Sequence, residues 1–389
     1  MEKEIFIHDS SIPDYDDLEW DTMSQTKREE LALQQAKTAA LFSKMHVPFY
    51  RDHFKQISEK EIESFKSLEE FALKLPETTK EHLTITHPSK FLPDLKISTE
   101  YINKGTGGST GKPVSIFYSV YDWEAMAQNI ARSIKFDFRD DLPKLKGLKI
   151  CGLYHGDHVT NGIYRKGLHK LGISLYGRPS TKKRADHVYD FIQDVQPNGI
   201  LAPPEDMLKK TTKGITMDKV LVLDAKNESA EAYRFNNDKN KEFCMVLWSS
   251  LPLSKDLYSY LKDHLKIPYI QGQYGSTECA PTGATCSHKP FSFHLGYGPN
   301  VVNVVLPSKK GLAKNGQEGY LLVTKTAGVV DDQKIVPTGT NLINFRTGDF
   351  AIVENYGKKC GCGRTTPIIS DLKRREAVEI KAEFGCEID

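Results

Sequence analysis

No apolar run in this 389-residue chain approaches the roughly 20 residues that a helix needs to cross a bilayer. Charge of one sign is not in excess either. The 53 Lys and Arg residues nearly balance 51 Asp and Glu, for a net charge of +2. No strong field therefore draws the chain to nucleic acid or to an anionic membrane, and neither is expected as a partner. The opening stretch, MEKEIFIHDSSIPDYDD, is acidic and lacks the charged-then-apolar layout of a signal peptide, so a cytoplasmic protein is expected. Low-complexity tracts, internal repeats and a linker are all missing, which predicts one compact, multi-lobed domain. In a reducing compartment the seven cysteines (Cys151, Cys244, Cys279, Cys286, Cys360, Cys362 and Cys386) are expected as buried thiols, metal ligands or nucleophiles rather than as disulfides.

What is present is an ordinary globular mix, 39% hydrophobic and 27% charged. SQTKREELALQQAKTAALFSKM predicts a helix, with Thr26 and Glu29 spaced as a capping box. SLEEFALKLP predicts a second, with Ser67 and Glu70 spaced likewise. From about Leu92 to Tyr118 the pattern turns to strand and loop. The short apolar runs LKICGLY, KVLVLDA and CMVLWSS then alternate with helical stretches such as ADHVYDFIQDV and SKDLYSYLKDHL. That alternation predicts an α/β fold, a sheet covered by helices. From Asn300 onward NVVNVVLP, GYLLVTKTA and FAIVENYGKK read as strands, a β-rich lobe.

One stretch is concentrated in glycine and hydroxyl residues: TGGSTGKPV, Thr106 to Val114. It is not a nucleotide-triphosphatase P-loop. Placing Gly111 and Lys112 in that motif puts its first glycine at Thr106 and its required hydroxyl at Pro113. It is not a dinucleotide fingerprint, because the third glycine would be Thr110. Both of those motifs open a helix, whereas here VSIFYS follows with strand alternation. The loop is expected between two strands. Its backbone N–H groups could wrap a polyphosphate, with Ser109, Thr110 and Lys112 as further donors. A plain hairpin tip has the same composition.

TGGSTGKPV resembles the phosphate loop of the adenylate-forming enzymes, which include the acyl-CoA synthetases. QYGSTE (Gln273–Glu278) resembles their Tyr-Gly-x-Thr-Glu motif and FRTGDF (Phe345–Phe350) their Arg-Thr-Gly-Asp motif, in the same order. VPFYRDHF, SLEEFALKLPETTKEHL and CGCGRT resemble the phenylacetate–CoA ligase and capsule-biosynthesis branch. The resemblance runs from about Met45 to Arg375. It implies the large N-terminal domain of adenylate-forming enzymes over residues 1–373 and an ATP-dependent activation of a carboxylic acid. It also implies roles. Thr106, Gly107, Gly108, Ser109, Thr110, Gly111 and Lys112 would hold the β- and γ-phosphates. Thr277 would contact the α-phosphate, and Glu278 would bind Mg²⁺. Tyr274 would stack near the adenine, Gly275 and Ser276 would also bind the nucleotide, and Asp349 would accept from the ribose hydroxyls, as suits an acceptor-only carboxylate. Tyr154 and His155, in LYHGDHVTNG, would line the acyl pocket; His155 and His158 could equally be structural. SSLPLS stands where the family has Gly-Gly-Glu, which leaves the shape of that pocket open.

Some members of this branch carry zinc on such a cysteine pair plus an upstream cysteine and histidine. Here those would be Cys360, Cys362, Cys286 and either His288 or His294, with His294 favoured by its position before the next strand. Four N/S ligands suit a structural tetrahedral Zn²⁺. The end of the chain departs from the family. LKRREAVEI offers Arg374 as the hinge arginine, and 374–389 reads as a hinge-like remnant without the mobile C-terminal domain and its lysine. Arg374 and Arg375 followed by Gly385 and Cys386 resemble the tail of acyl-protein synthetases, in which the cysteine takes the acyl chain as a thioester and passes it to a reductase. Four activities are therefore expected in competition: ligation to coenzyme A or a carrier protein, acyl transfer through Cys386, an amide- or ester-forming ligation, and a catalytically weak nucleotide-binding scaffold. A homodimer is compatible with all four.

Overall fold

A computed structural model describes residues 6–7, 12–95, 100–105, 114–154, 158–177, 191–192, 194–204, 243–249, 253–279, 281–331, 334–336 and 338–374. The chain divides into two compact units, 1–129 with 275–389, and 130–274.

The first unit opens with strand β1 (Phe6–Ile7) and the helices α1 (Glu19–Thr22), α2 (Gln25–His46), α3 (Pro48–His53), α4 (Glu59–Ser64), α5 (Leu68–Lys74) and α6 (Lys80–Ile85). The cap of α2 is not Thr26. Ser24 takes that place, its hydroxyl accepting from the N–H of Lys27 at 3.3 Å, so the helix begins two residues earlier than the Thr26–Glu29 spacing predicts. Ser67 caps α5 as expected, accepting from Glu70 N–H at 3.1 Å, while the Glu70 carboxylate reaches back to the N–H of Lys66. A hairpin follows, β2 (Tyr101–Gly105) against β3 (Ser115–Ser119), antiparallel with Gly105 opposite Ser115. Helix α7 (Val120–Asp137) starts directly from β3.

The second unit is a parallel sheet of β4 (Lys149–Gly152), β5 (Ser174–Gly177), β6 (Gly199–Ala202), β7 (Met245–Ser249) and β8 (Tyr269–Tyr274), in the order β5-β4-β6-β7-β8. Strand β6 is buried throughout and β7 nearly so, as expected for parallel strands covered on both faces. A Cβ at Gly272 on β8 would lie 2.2 Å from the Trp248 indole of β7, so only glycine lets that ring cover its neighbour. Helices α8 (Leu142–Leu145), α9 (Val159–Lys170) and α10 (Lys255–Ser259) belong to this unit. SKDLYSYLKDHL does not form one α-helix. After α10 it widens into a π-helical turn, Tyr260–His264. KVLVLDA and most of ADHVYDFIQDV lie outside the described residues.

The chain then completes the first unit with β9 (Gly283–Thr285), β10 (Phe293–Leu295), β11 (Asn300–Val305), β12 (Glu318–Lys325), β13 (Lys334–Ile335), β14 (Phe345–Asn355) and β15 (Ile368–Arg374). Six of them form antiparallel neighbours in the order β11-β12-β14-β15-β10-β9, the β-rich lobe, and β13 pairs with β1. Helix α5 covers this sheet, burying Ala72 against Val305, Tyr320, Leu322 and Phe350. No helix of the described residues is long and apolar enough to cross a membrane.

Candidate active site

The site grows from the end of β3. Its alternation puts Ile116 and Tyr118 on the buried face. Ser119 and Asp122 then cap α7 reciprocally. The Asp122 carboxylate accepts from the N–H and hydroxyl of Ser119 at 2.9 and 3.0 Å, and the Ser119 hydroxyl accepts from the Asp122 N–H at 3.1 Å. Asp122 also accepts from the N–H of Gly339 at 2.6 Å and pairs with Lys325 at 3.2 Å, both side chains being buried. Lys325, the last residue of β12, donates further to the Thr340 carbonyl at 3.0 Å. The 339–340 turn lies hard against β3: Phe117 and Thr340 exchange hydrogen bonds at 2.7 and 2.9 Å, and a Cβ at Gly339 would collide with the Phe117 carbonyl. A buried ion pair thus ties the hairpin, α7 and β12 together.

Tyr118 carries this frame to the QYGSTE segment. Its hydroxyl donates to the Thr277 carbonyl, and the Lys325 ammonium lies 5.2 Å from its ring centre. Burial, with the negative fields of Glu278, Cys279 and Asp122, holds the phenol well above its ordinary pKa, so it remains a donor. Tyr274, Gly275, Ser276 and Thr277 are partly exposed where β8 ends, and Glu278 turns inward and is buried. The Lys80 ammonium, from the first residue of α6, stands 3.4 Å from the Glu278 carboxylate. Next in sequence, the Cys279 thiol contacts the Ser276 hydroxyl at 3.4 Å. Burial pushes that thiol up to about 12, and the fields of Glu278, Lys325 and Asp349 all reach it.

Asp349 is buried on β14, its N–H donating to the Thr347 hydroxyl at 3.1 Å. Gly348 before it has φ +85°, a left-handed turn that aims the acid and favours glycine. Opposite Asp349 in the sheet register is Arg374, the last residue of β15, so the hinge arginine of the sequence reading ends a strand here. Arg346 lies 4.4 Å from the ring centre of Tyr320, and Glu77 accepts from the Tyr320 hydroxyl at 2.8 Å. Thr277, Glu278 and Asp349 are thus brought into one unit. Thr106, Gly107, Gly108, Ser109, Thr110, Gly111 and Lys112 lie outside the described residues, as do His155 and Cys386. The strands flanking the glycine-rich stretch do pair as a hairpin.

In the second unit Tyr154 follows β4. It is buried, donates to the Ser249 carbonyl at the end of β7 (2.8 Å) and stacks on His158 at 4.9 Å between ring centres. His158 also caps α9, accepting from Thr160 N–H at 3.2 Å. Tyr154 and Ser249 mark the carboxyl ends of parallel strands, where open α/β sheets bind ligands.

A second cluster lies in the β-rich lobe. The ligand atoms of Cys286, His294, Cys360 and Cys362 all fall within 4.8 Å of one another. Cys286 and Cys360 are 3.5 Å apart at sulfur, and the Cys362 sulfur is 3.2 Å from His294 Nε2. Hydrogen bonding from Cys286 and then from His294 pushes the Cys362 thiol down to about 3, so a thiolate is the stable form there. Zinc–sulfur bonds of about 2.3 Å in a tetrahedron place sulfurs roughly 3.8 Å apart, so the donor set fits the ion in type and spacing. The other ring nitrogen of His294 contacts the Thr366 carbonyl and hydroxyl, each at 3.0 Å, the outer support usual for a metal-bound imidazole. His288 is exposed, its imidazole 2.7 Å from where a Cβ would sit on Gly361, outside the cluster.

Sequence reasoning missed Tyr118, Lys80, Asp122 and Lys325. The alternation in VSIFYS was a signal for the burial of Tyr118. Nothing local marks Lys80 or Lys325, whose partners are distant in the chain.

The chain shares its fold with solved structures of 2-hydroxyisobutyryl-CoA ligase. Among solved structures, an open conformation of 2-hydroxyisobutyryl-CoA ligase in complex with 2-HIB-AMP and CoA matches with a TM-score of 0.67 at 15% identity, over 94% of this chain and 79% of that one. The same ligase in its thioesterification state matches with a TM-score of 0.66 at 17% identity, over 93% of this chain and 72% of that one. At such identities the likeness is one of fold. No protein-family model matches the chain, and no curated protein does.

Proposed function

We propose that this chain uses ATP to activate a carboxylic acid as its acyl-adenylate and passes the acyl group to a thiol. The observation that carries the reading is the frame joining two motifs, in which buried Glu278 lies 3.4 Å from Lys80 and Thr78, two residues before Lys80, pairs with the strand that bears buried Asp349, in a fold shared with a ligase bound to an acyl-AMP and CoA. A carboxylate oxygen attacks the α-phosphorus, forming the O–P bond as the α–β bridge breaks and pyrophosphate leaves. The thiol sulfur then attacks the acyl carbon and AMP leaves. The first step needs charge stabilisation on phosphorus more than a general base.

In this scheme Lys112 and the glycines of 106–111 cradle the β- and γ-phosphates, Thr277 orients the α-phosphate, and Asp349 fixes the ribose. Tyr274 lies by the adenine. Mg²⁺ supplies charge neutralisation when bound, and Glu278 suits it as a single buried carboxylate beside phosphate oxygens. Tyr154, with His155, lines the acid pocket, and Arg374 is the hinge arginine. The adenylation domain spans 1–373. VPFYRDHF and SLEEFALKLPETTKEHL favour the phenylacetate–CoA ligase branch, with coenzyme A or a carrier protein as acceptor. The four-ligand cluster holds a structural zinc. The test is carboxylate-dependent exchange of pyrophosphate into ATP over a panel of aryl and fatty acids. Exchange with at least one acid is the expected result, and none with any acid overturns the reading.

A further inference from the structure

Lys80 lies outside the three motifs, yet its ammonium is 3.4 Å from the acid of the second one. We infer that Lys80 is a ligand of the pyrophosphate portion of ATP, held against Glu278 until the nucleotide arrives. The inference rests on the adenylation reading.

The position of Lys80 is held from both sides. Just before it, Thr78 pairs in parallel with Phe345, the first residue of β14. Thr78 N–H donates to Asn344 O at 3.1 Å, Arg346 N–H donates to Thr78 O at 2.8 Å, and the Thr78 hydroxyl donates to Ile343 O at 2.9 Å. The strand that bears Asp349 therefore also anchors the base of Lys80. The first turn of α6 closes around it, with the N–H of Thr79 on one side donating to His82 Nδ1 on the other at 3.0 Å. From this base the long side chain crosses to Glu278.

Exposure distinguishes the two partners. The Glu278 side chain is 6% exposed and that of Lys80 33%, so a ligand arriving from solvent meets the ammonium before the carboxylate. A divalent cation taken up by Glu278 takes its negative charge away from Lys80 and repels the ammonium at short range. The phosphate oxygens brought by that cation are then the nearest new anions, and a lysine ammonium binds phosphate well as a point charge. In the free protein the same ammonium offsets the cost of burying Glu278. Lys80 thus serves the acid before binding and the phosphates after it.

The test compares Mg·ATP, Mg·pyrophosphate and AMP binding by calorimetry in the wild type, Lys80→Gln and Lys80→Arg, with thermal midpoints alongside. Lys80→Gln is expected to weaken ATP and pyrophosphate about tenfold or more, the scale of one charged hydrogen bond, with AMP changed by less than about twofold. Lys80→Arg is expected to keep ATP within about threefold, since charge rather than shape is used. Equal losses for ATP and AMP, or a lowered thermal midpoint with unchanged affinities, would leave Lys80 as a partner of Glu278 alone and overturn the inference. If Lys80→Gln fails to fold, amine labelling of the wild type read by mass spectrometry decides it: protection of Lys80 by Mg·pyrophosphate but not by AMP supports the inference, and labelling unchanged by Mg·pyrophosphate overturns it. A wild type that binds neither nucleotide defeats the adenylation reading itself, an outcome distinct from the loss of discrimination in the variants.

Discussion

At the residue scale the proposed activity rests on two buried acids, Glu278 and Asp349. Glu278→Ala and Asp349→Ala are each expected to reduce pyrophosphate exchange by about 3–4 kcal/mol of barrier, the scale of losing one preorganised charge-stabilising group. Circular dichroism should show both variants folded, and near wild-type exchange in either would remove that residue from the site. Lys325 is a structural counterpart. Its pairing with Asp122 is buried on both sides, so Lys325→Met leaves an uncompensated carboxylate at the start of α7. A loss of about 3–5 kcal/mol in denaturant unfolding is expected, the usual effect of breaking a buried pair from one side. An unchanged unfolding midpoint would show that Asp122 finds other compensation.

At the element scale the cysteine knuckle clamps the N-terminal helices to the sheet. Between Cys362 and His294's partner Thr366, Thr365 N–H donates to Asp21 O at 2.9 Å and its hydroxyl donates to Met23 O at 2.6 Å. Arg28 of α2 donates to the Thr365 hydroxyl at 3.2 Å. Metal in the knuckle would thus stabilise the start of α2, because ligand binding is coupled to folding. The purified protein is expected to hold about one zinc per chain. Cys360→Ser with Cys362→Ser should lose it, lower the thermal midpoint and speed proteolysis near Met23. Elemental analysis without metal in freshly purified protein would end this idea. The ends of helices α2 and α3 carry a different sensitivity. Burial lowers the pKa of His53, aided by the field of His82 and opposed by its hydrogen bond to Glu77 O; burial also lowers that of His46, opposed by Asp94 and aided by Arg51. The folded state therefore binds these protons less readily than the unfolded one. Stability is full above the ordinary value of 6.5 and falls as pH drops below it toward the lowered folded values. The thermal midpoint should decline over that window, and His53→Gln should make the decline shallower. An identical pH profile would show that His53 does not drive it.

At the scale of the whole molecule the proposed activity is tested through its acyl acceptor. With ATP, Mg²⁺ and a labelled acid, transfer to coenzyme A should give a free thioester and leave the protein unlabelled by mass spectrometry. A hydroxylamine-sensitive adduct that vanishes in Cys386→Ser would instead assign transfer to the tail. Much of the architecture followed from local pattern. LKICGLY and CMVLWSS are apolar without alternation because parallel strands are covered on both faces, and they became β4 and β7. VSIFYS alternates because one face of a hairpin is buried, and it became β3. The family resemblance, with the position of His294 before the next strand, named the four residues that the structure groups. Other features are not local. Ser24 rather than Thr26 caps α2 because the turn before a helix depends on where the preceding chain enters. The meeting of His294 with the three cysteines depends on β10 pairing with β15, which sets that histidine beside the knuckle. The pairings of Lys80 with Glu278, Lys325 with Asp122 and Tyr118 with Thr277 join residues 159 to 203 positions apart in the chain. Side-chain type and periodicity set which residues turn inward; which buried charges then meet is decided by strand order, and only the tertiary structure has that.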